Sequence, residues 1–289
     1  MRARVLVPLH VTSMWFPVYA DSPALTGSVG AGVVLRPGVV VDISPADSAS
    51  RPRLPHIEAV LGRMGFSARI VYRSPVPLGV GYGVSGAVAL GAALGVAAAK
   101  GSSLLDAARI AHEVEVSMGT GLGDVIAEFY GGGIEVRAKP GAPGVGVVDR
   151  IPHPPRLVAL TYNFGFEDTR AMLQRLGEFL AGEGRRIVER LLRDPTYYSF
   201  LELSAQFSRA AGFLTQKLED AVRPCSKWGD GYYAKKGVLV FLTYEDTADE
   251  AARCLSEGGL PPRRFRLSHS GAVVLQGYGR SPPLPSSPS

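Results

Sequence analysis

The sequence predicts an α+β protein with two domains. Segments rich in β-branched residues and segments with helical spacing of apolar residues follow one another without strict alternation, which argues against a doubly wound parallel sheet. A length of 289 residues suits two domains or one large one. The charge pattern changes after about Arg150, and the proline-rich stretch 152–155 follows. We therefore expect domains at 1–150 and 151–280, with a disordered Ser/Pro tail at 281–289.

The composition indicates a folded protein with a substantial core. Hydrophobic residues make up 46% of the chain and charged residues 20%, which excludes wholesale disorder. The 35 glycines and 22 prolines follow no fixed period, so collagen-like and linker-like chains are excluded too. The longest apolar stretch, 84–99, is too short and too weakly hydrophobic to span a bilayer, and the N-terminus lacks the apolar region of a signal peptide. We expect a buried helix at 84–99 and no membrane partner.

Charge and cysteine content narrow the class further. The net charge of +5 favours anionic partners such as nucleotides and phosphates. The basic residues are scattered rather than clustered, which argues against a nucleic-acid-binding protein. Cys225 and Cys254 are too few, and too unevenly spaced, for a disulfide framework or a metal cluster. We expect reduced cysteines and a cytoplasmic protein.

In the first half, β-branched residues bounded by Gly and Pro predict strands at 4–7, 29–35 and 39–43. Ile57, Val60, Leu61 and Met64 have the spacing of an amphipathic helix, which Gly65 ends. The remaining expectations for this half are a strand at 67–72, helices at 84–100 and 103–118, and strands at 134–137 and 145–148.

In the second half, the same patterns predict strands and helices in irregular order. Strands are expected at 156–161, 238–244, 265–267 and 272–276. Helices are expected at 169–180, 185–192, 198–213 and 247–256.

The glycine-rich segment 75–87 is the most informative part of the chain. Glycines between a predicted strand and a predicted helix let backbone N–H groups turn towards a phosphate, and the helix N-terminus adds partial positive charge. A Walker loop requires a lysine that is absent here. Gly81, Gly83 and Gly86 match the dinucleotide fingerprint, but a second helix stands where that fingerprint requires a strand. Two interpretations of the segment remain: a nucleoside-phosphate-binding loop of another kind, and a tight loop without a ligand.

The pattern Pro-x-Gly-x-Gly-x-Gly-x-Ser-x-Ala at 77–87 resembles the loop of the GHMP kinases, a superfamily of small-molecule kinases. Further blocks at 8–12, 26–32, 112–125, 131–137 and 140–144 look like the motifs of archaeal pantoate kinases, in the same order. The most specific is Gly-Thr-Gly-Leu-Gly-Asp at 119–124. The chain departs from the pattern at Leu9, where Gly is usual, and at Val84, where Ser is frequent. The stretch 229–237 is a poor copy of the third GHMP motif.

This resemblance implies a GHMP kinase fold, with an N-terminal domain like ribosomal protein S5 domain 2 and a C-terminal ferredoxin-like domain. It also implies ATP and Mg²⁺ as cofactors and phosphorylation of (R)-pantoate on its 4-hydroxyl, a step of coenzyme A synthesis. The alternatives are a related kinase acting on homoserine or a mevalonate-like acid, and a GHMP-fold binding protein without turnover. The partners expected are small molecules, with neither nucleic acid nor membrane, and a homodimer stays open.

The residues that would bind nucleotide and metal lie in the loop and in the helix at 103–118. The nucleotide-binding set is Pro77, Gly79, Gly81, Gly83, Ser85 and Gly86. Glu115 lies on the apolar face of its helix and needs a partner or a metal there, whereas Glu113 points away and is expected to be solvated. Glu115 and Ser85 are therefore the expected Mg²⁺ ligands and part of the catalytic set. A plain helix N-cap is the alternative for Ser85.

Asp124 completes the catalytic set, because its carboxylate could accept or orient the proton of the substrate hydroxyl. A structural Asx turn is the alternative. The substrate-binding residues implied are Ser28, His112 and Arg137. Arg137, at the expected end of a strand, would bind the pantoate carboxylate in a bidentate manner. A surface role for Arg137 and a purely structural role for His112 are the alternatives.

Overall fold

A long antiparallel hairpin forms the centre of the molecule. In the computed structural model, which describes residues 2–46 and 54–277, β1 (Ala3–Val18) pairs with β2 (Gly27–Pro45) along almost its whole length. Both strands are rich in valine and are buried over most of their length, as β-branched residues favour. β1 is much longer than the predicted strand at 4–7, because the pairing shifts register beside Pro8 and then continues. The predicted tail at 281–289 lies outside the described residues.

Around this hairpin, the described residues of the rest of the first half form four helices and three strands. They are α1 (Pro55–Arg63), β3 (Ala68–Arg73), α2 (Val84–Lys100), α3 (Leu104–Met118), α4 (Asp124–Tyr130), β4 (Ile134–Lys139) and β5 (Val147–Ile151). The predicted helices and strands of this region are present with small shifts at their ends. The seven-residue α4 was not predicted, because glycines flank it and its apolar pattern is too short to read.

In the second half, residues 151–277 form six α-helices and five strands. They are β6 (Leu157–Asn163), α5 (Thr169–Arg175), α6 (Gly177–Ala181), α7 (Glu183–Arg193), α8 (Tyr197–Ala210), α9 (Gln216–Val222), β7 (Gly229–Lys235), β8 (Val238–Tyr244), α10 (Ala248–Glu257), β9 (Arg263–Leu267) and β10 (Val273–Gly277). The predicted helix at 169–180 is divided at Leu176 into α5 and α6. The strand β7 and the helix α9 were not predicted.

One antiparallel sheet runs through both halves of the described chain. Its strand order is β10-β1-β2-β9-β6-β8-β7, with β3 and β4 also on β2 and β5 on β4. β9 connects the halves, since Leu35 of β2 pairs with Leu267 and Val158 of β6 pairs with Arg266. The mixed helix and sheet content agrees with the predicted α+β class.

The helix α2 fills the space beneath the hairpin. Its Ala, Gly, Val and Leu residues are buried on nearly every side, as expected for the apolar stretch 84–99. Gly91 and Gly95 allow a close approach to β2: an added Cβ would come within 2.5 Å of Val41 and 2.1 Å of Ile43. None of the helices in the described ranges is long and apolar enough to cross a membrane.

The two cysteines depart from expectation. Cys225 lies in a 3₁₀ turn (Arg223–Trp228) that precedes β7, and Cys254 lies in α10. Their sulfur atoms form a disulfide with Cα atoms 5.7 Å apart. The expectation of reduced cysteines was therefore wrong: spacing along the chain does not reveal that the fold brings α10 beside this turn.

Candidate active site

The glycine loop connects β3 to α2, and its backbone has the conformation that a phosphate cradle requires. Gly79, Gly81 and Gly83 have φ values of 86°, 104° and 71°, a region that side-chain-bearing residues seldom adopt. Gly83 is the N-cap of α2 and supplies no capping side chain, so N–H groups of the first helical turn remain for a ligand. Tyr82 anchors the loop, because its carbonyl accepts from the His10 N–H and its hydroxyl donates to Thr161.

A cleft of about 480 Å³ opens in front of this loop. Gly79, Gly81, Gly83 and Ser85 line one wall. The opposite wall comes from the second half of the chain: Phe166, Glu167, Asp168, Thr169, Arg170, Lys235 and Lys236. Two predicted loop residues do not line the cleft. Pro77 is exposed outside it, and Gly86 is buried behind it, where its lack of a side chain lets α2 approach Asp124 and Glu128.

Ser85 and Glu115 are brought together at the N-terminal end of α2. The Ser85 hydroxyl donates to Glu115 Oε1 at 2.9 Å, which excludes the alternative of a plain N-cap. Glu115 is 2% exposed, and burial raises its pKa to about 7 against the opposing effect of the Ser85 hydrogen bond. Glu113 faces the other side of α3 as expected, but it pairs with Arg63 and only 16% of its side chain is exposed, so the expectation of a solvated acid was wrong. The helix phase deduced from the sequence is therefore confirmed.

Asp124 is the first residue of α4, not part of an Asx turn. His10 Nδ1 donates to Asp124 Oδ1 at 2.7 Å, so β1 fixes one oxygen of the carboxylate and leaves Oδ2 towards the cleft. Burial raises the pKa of Asp124, but the positive charge of Lys235 and the hydrogen bond from His10 outweigh it and hold the pKa well below its usual range. Asp124 therefore lies in the cleft as a carboxylate.

Arg137 lies within β4 rather than at a strand end, and it is buried, which excludes a surface role. Its Nη1 donates to Glu135, while its Nε and Nη2 have no hydrogen-bond partner among the described residues. Ser28 lies close to Arg137, and both side chains approach Gly123. A Cβ added to Gly123 would be 2.3 Å from Ser28 Oγ and 2.8 Å from Arg137 Nε. Ser28 lines a narrower pocket that adjoins the cleft. Orphaned buried donors of this kind are costly without a ligand.

His112 lines neither the cleft nor the narrower pocket, and Glu115 and Arg137 are likewise buried behind these linings rather than part of them. His112 is 1% exposed, and its Nε2 contacts the Thr26 carbonyl oxygen at 2.8 Å. Burial lowers its pKa, so the ring is neutral and donates to that carbonyl. The residue supports the turn that leads to Ser28, and the geometry favours the structural alternative.

Four residues near the site were not assigned a role from the sequence. His10 orients Asp124, and its Nε2 lies 2.9 Å from Glu135 Oε1. Glu128 lies one turn after Asp124, fully buried under Gly83, with a pKa raised by burial and by the Asp124 charge. Lys235 and Lys236 end the poorly matching stretch 229–237. The signal available was the adjacency of two lysines in a lysine-poor chain.

The described ranges, 2–46 and 54–277, contain no cluster of three or more His, Cys, Asp or Glu residues that could hold a metal alone. An ion at Glu115 and Ser85 would need further oxygen ligands from outside the protein. That donor set is typical of Mg²⁺, which binds one or two carboxylates together with substrate phosphates.

Comparisons with known proteins agree with the geometry. The family model for the GHMP kinases N terminal domain matches residues 54–132, which contain the glycine loop and the helices α2 to α4. A pantoate kinase from Thermococcus kodakarensis is 32% identical, with 90% of this chain and 94% of that protein aligned. A solved structure titled as a phosphotransferase related to the CoA biosynthesis pathway is 29% identical, with a TM-score of 0.84 over 95% of this chain and 98% of that one. Mevalonate-3-kinase from Thermoplasma acidophilum, 12% identical with a TM-score of 0.68 over 96% and 99% of the two chains, shares the fold.

Proposed function

The chain belongs to the pantoate kinase family of the GHMP kinases, and we propose that it transfers the γ-phosphoryl group of ATP to the 4-hydroxyl of (R)-pantoate. The product, 4-phosphopantoate, enters coenzyme A synthesis. The observation that carries this proposal is the similarity to a pantoate kinase over 90% of the chain. The glycine cleft, and the unpartnered N–H groups of Arg137 behind Gly123 of the adjoining pocket, fit that reaction.

We also propose how the chain divides into two domains. Residues 1–150 would form the ribosomal-S5-like domain and residues 151–280 the ferredoxin-like domain, with both substrates bound where the two walls of the cleft face each other. The division of the lining residues between the two halves supports this. A cytoplasmic location is proposed from the similarity to pantoate kinases alone, because the disulfide between Cys225 and Cys254 removes the argument from reduced cysteines.

ATP would bind with its phosphates at the N-terminus of α2. The free N–H groups of the first turn and the partial positive charge of the helix favour phosphate there. Gly79, Gly81 and Gly83 line the cleft and let the backbone come close to the phosphates, and Ser85 adds a hydroxyl. Pro77 and Gly86 would shape the loop from outside and from behind.

Glu115 and Ser85 would hold Mg²⁺ together with the phosphate oxygens. Bound there, the ion neutralises charge that develops on the phosphates during transfer. A pKa near 7 leaves Glu115 able to ionise readily when a cation approaches. Glu115 Oε2 lies towards Gly121, which lines the narrower pocket.

Asp124 would orient the acceptor hydroxyl and receive its proton. The hydroxyl oxygen forms a bond to the γ-phosphorus, the bond from that phosphorus to the bridging oxygen breaks, and ADP leaves. Because the pKa of Asp124 is low, the carboxylate orients the hydroxyl first and takes the proton late, as a loose transition state allows. His10 would act as a positioning residue by holding Oδ1.

Pantoate would place its carboxylate towards Arg137 and a hydroxyl on Ser28; because the narrower pocket measures only about 40 Å³, the acceptor would extend from it into the cleft. Two unpartnered N–H groups on one guanidinium match a bidentate carboxylate. His112 would contribute through the turn that it supports.

A substrate panel tests this function. The protein is incubated with ATP, Mg²⁺ and either pantoate, homoserine or mevalonate, and ADP release is measured. We expect efficient turnover with pantoate alone. Preferred turnover of another acid, or none with pantoate, would contradict the proposal.

A further inference from the structure

Five residues are shared by the walls of the cleft and of the narrower pocket: Thr120, Asp124, Thr169, Lys235 and Lys236. If ATP occupies the first space and the acceptor the second, the phosphoryl group passes between these five side chains. Two of them are cations from the second half of the chain, and one is the carboxylate that orients the acceptor.

Lys235 differs from the other cations that line these spaces. Lys236 Nζ donates to Thr169 Oγ1 at 2.7 Å, and Arg170 Nη2 donates to the Met118 carbonyl at 2.6 Å. Within the described ranges, Lys235 makes neither a hydrogen bond nor an ion pair, although it is only 8% exposed. Its Nζ lies 5.2 Å from the centroid of the Trp15 ring. The ammonium group therefore faces the two spaces without a hydrogen-bonding or ion-pair partner among the described residues, and an anionic ligand would supply one.

The positive charge of Lys235 acts on Asp124. It is the largest of the influences that lower the pKa of Asp124. The two groups therefore face the same space, one negative and one positive, between the nucleotide loop and the Ser28 pocket.

Resting on the proposed function, we propose that Lys235 is a catalytic residue whose ammonium group binds the γ-phosphoryl group during its transfer. The three equatorial oxygens of that group carry the charge of a loose transition state, and a fixed cation in a dry site stabilises it without reorganisation. Burial lowers the pKa of Lys235 to about 8, which leaves the group protonated at neutral pH. Lys235 keeps that proton throughout, because the hydroxyl proton goes to Asp124 and the electron pair of the broken bond leaves with ADP. The stretch 229–237 would then supply a charge in place of a third glycine motif.

The test compares Lys235→Met with Lys227→Met. Lys227 is a matched control, since its Nζ lies 5.3 Å from the Trp228 ring but on the exposed surface, away from both pockets. We expect Lys235→Met to lower kcat about 100-fold or more with the KM for ATP unchanged. Lys235→Arg should recover part of kcat, and Lys227→Met should match the wild type. A wild-type kcat in a folded Lys235→Met protein overturns the proposal.

A binding measurement separates a catalytic role from a structural one. ADP, Mg²⁺ and aluminium fluoride with pantoate mimic the transferring phosphoryl group, so the wild type should bind this set much more tightly than ADP alone. Lys235→Met should lose that gain while still binding ADP. If instead only the KM for pantoate rises, Lys235 binds the substrate carboxylate and the proposal fails. Wild-type turnover of pantoate in the same assay shows separately whether the proposed function holds.

Discussion

The two walls of the cleft differ in how far apart their lining residues are in the sequence. The first-half wall comes mainly from the short segments 78–85 and 118–124, with Glu115 directly behind Ser85, so that the important residues are close in sequence. The second-half wall comes from residues 166–170 and from Lys235 and Lys236, which only the fold brings opposite Asp124. The first wall could be predicted as a motif, and the second only from tertiary structure. The largest effects on catalysis should arise where the walls meet.

The largest loss is expected at Asp124, the point where both walls meet the acceptor. Asp124→Asn removes the proton acceptor but keeps the shape, so kcat should fall about 100- to 10,000-fold with pantoate affinity retained. The measurements are steady-state kinetics and calorimetric binding of pantoate. Asp106→Asn, an exposed first-turn carboxylate of α3, is the control and should have no effect. Near-wild-type kinetics for Asp124→Asn would mean that Asp124 does not accept the proton and that catalysis does not depend on the residues where the two walls meet.

The next largest effect is expected in the glycine loop. A Cβ at Gly81 would meet Val238 at 3.3 Å and would strain a backbone with φ of 104°, so Gly81→Val should weaken ATP binding by about 100-fold or more. Gly101→Val is the matched control, because Gly101 ends the same helix at φ of 67° with open space around its Cβ position. It should lose stability but keep ATP affinity. Unchanged calorimetric affinity in a folded Gly81→Val protein would refute the cradle.

Arg137 tests whether the acceptor pocket is distinct from the nucleotide cleft. Arg137→Lys keeps the charge but loses the two-pronged geometry, a loss of about 1.5–3 kcal/mol, so kcat/KM for pantoate should fall roughly 10- to 150-fold. The KM for ATP should not change. Because Arg137 also pairs with buried Glu135, Ser28→Ala is measured beside it as a change in the same pocket that spares the ion pair. A shift in the ATP constant instead would place Arg137 outside the acceptor site.

A smaller effect separates the two acids of α3. Glu115→Gln should raise the Mg²⁺ concentration for half-maximal activity by about 10-fold, because one charged ligand is lost. Glu113→Gln should leave it unchanged, since that carboxylate pairs with Arg63 on the far side of the helix. Titrations of activity against Mg²⁺ at saturating ATP distinguish them. Equal shifts would mean that helix phase does not select the ligand.

The same contrast explains how much of the molecule could be predicted. Helix spacing oriented Glu115 correctly, and strand patterns found most of the sheet, because both depend on short periodic stretches. The short α4 and the strand β7 have too few periodic residues to be predicted, so neither the position of Asp124 at a helix start nor a role for Lys235 could be predicted. The disulfide and the interior position of Arg137 depend on contacts between distant segments. No local pattern carries that information.

Substitution of Glu128 should change the stability of the protein and not its turnover, so it has the smallest expected effect on catalysis among these predictions. Burial raises its pKa well above the ordinary 4.5, so the folded protein keeps the acid protonated while the unfolded chain releases the proton as the pH rises. Stability therefore falls with rising pH above the unfolded pKa, and Glu128→Gln, which cannot ionise, escapes this loss. The free energy of unfolding of Glu128→Gln should rise relative to the wild type by up to about 1.4 kcal/mol per pH unit above that value, with kcat unchanged.

Denaturant unfolding between about pH 5 and pH 8 measures that gap, since this range lies above the ordinary pKa of a glutamate. Glu178→Gln, on the exposed side of α6, is the control and should show no gap that widens with pH. A constant difference between Glu128→Gln and the wild type across this range would mean that Glu128 is ionised beneath Gly83. A second buried negative charge would then lie beside Asp124 and oppose phosphate binding. The carboxyl group of Glu128 lies directly behind the glycine loop, and the loop can bind phosphate there only if this group is neutral.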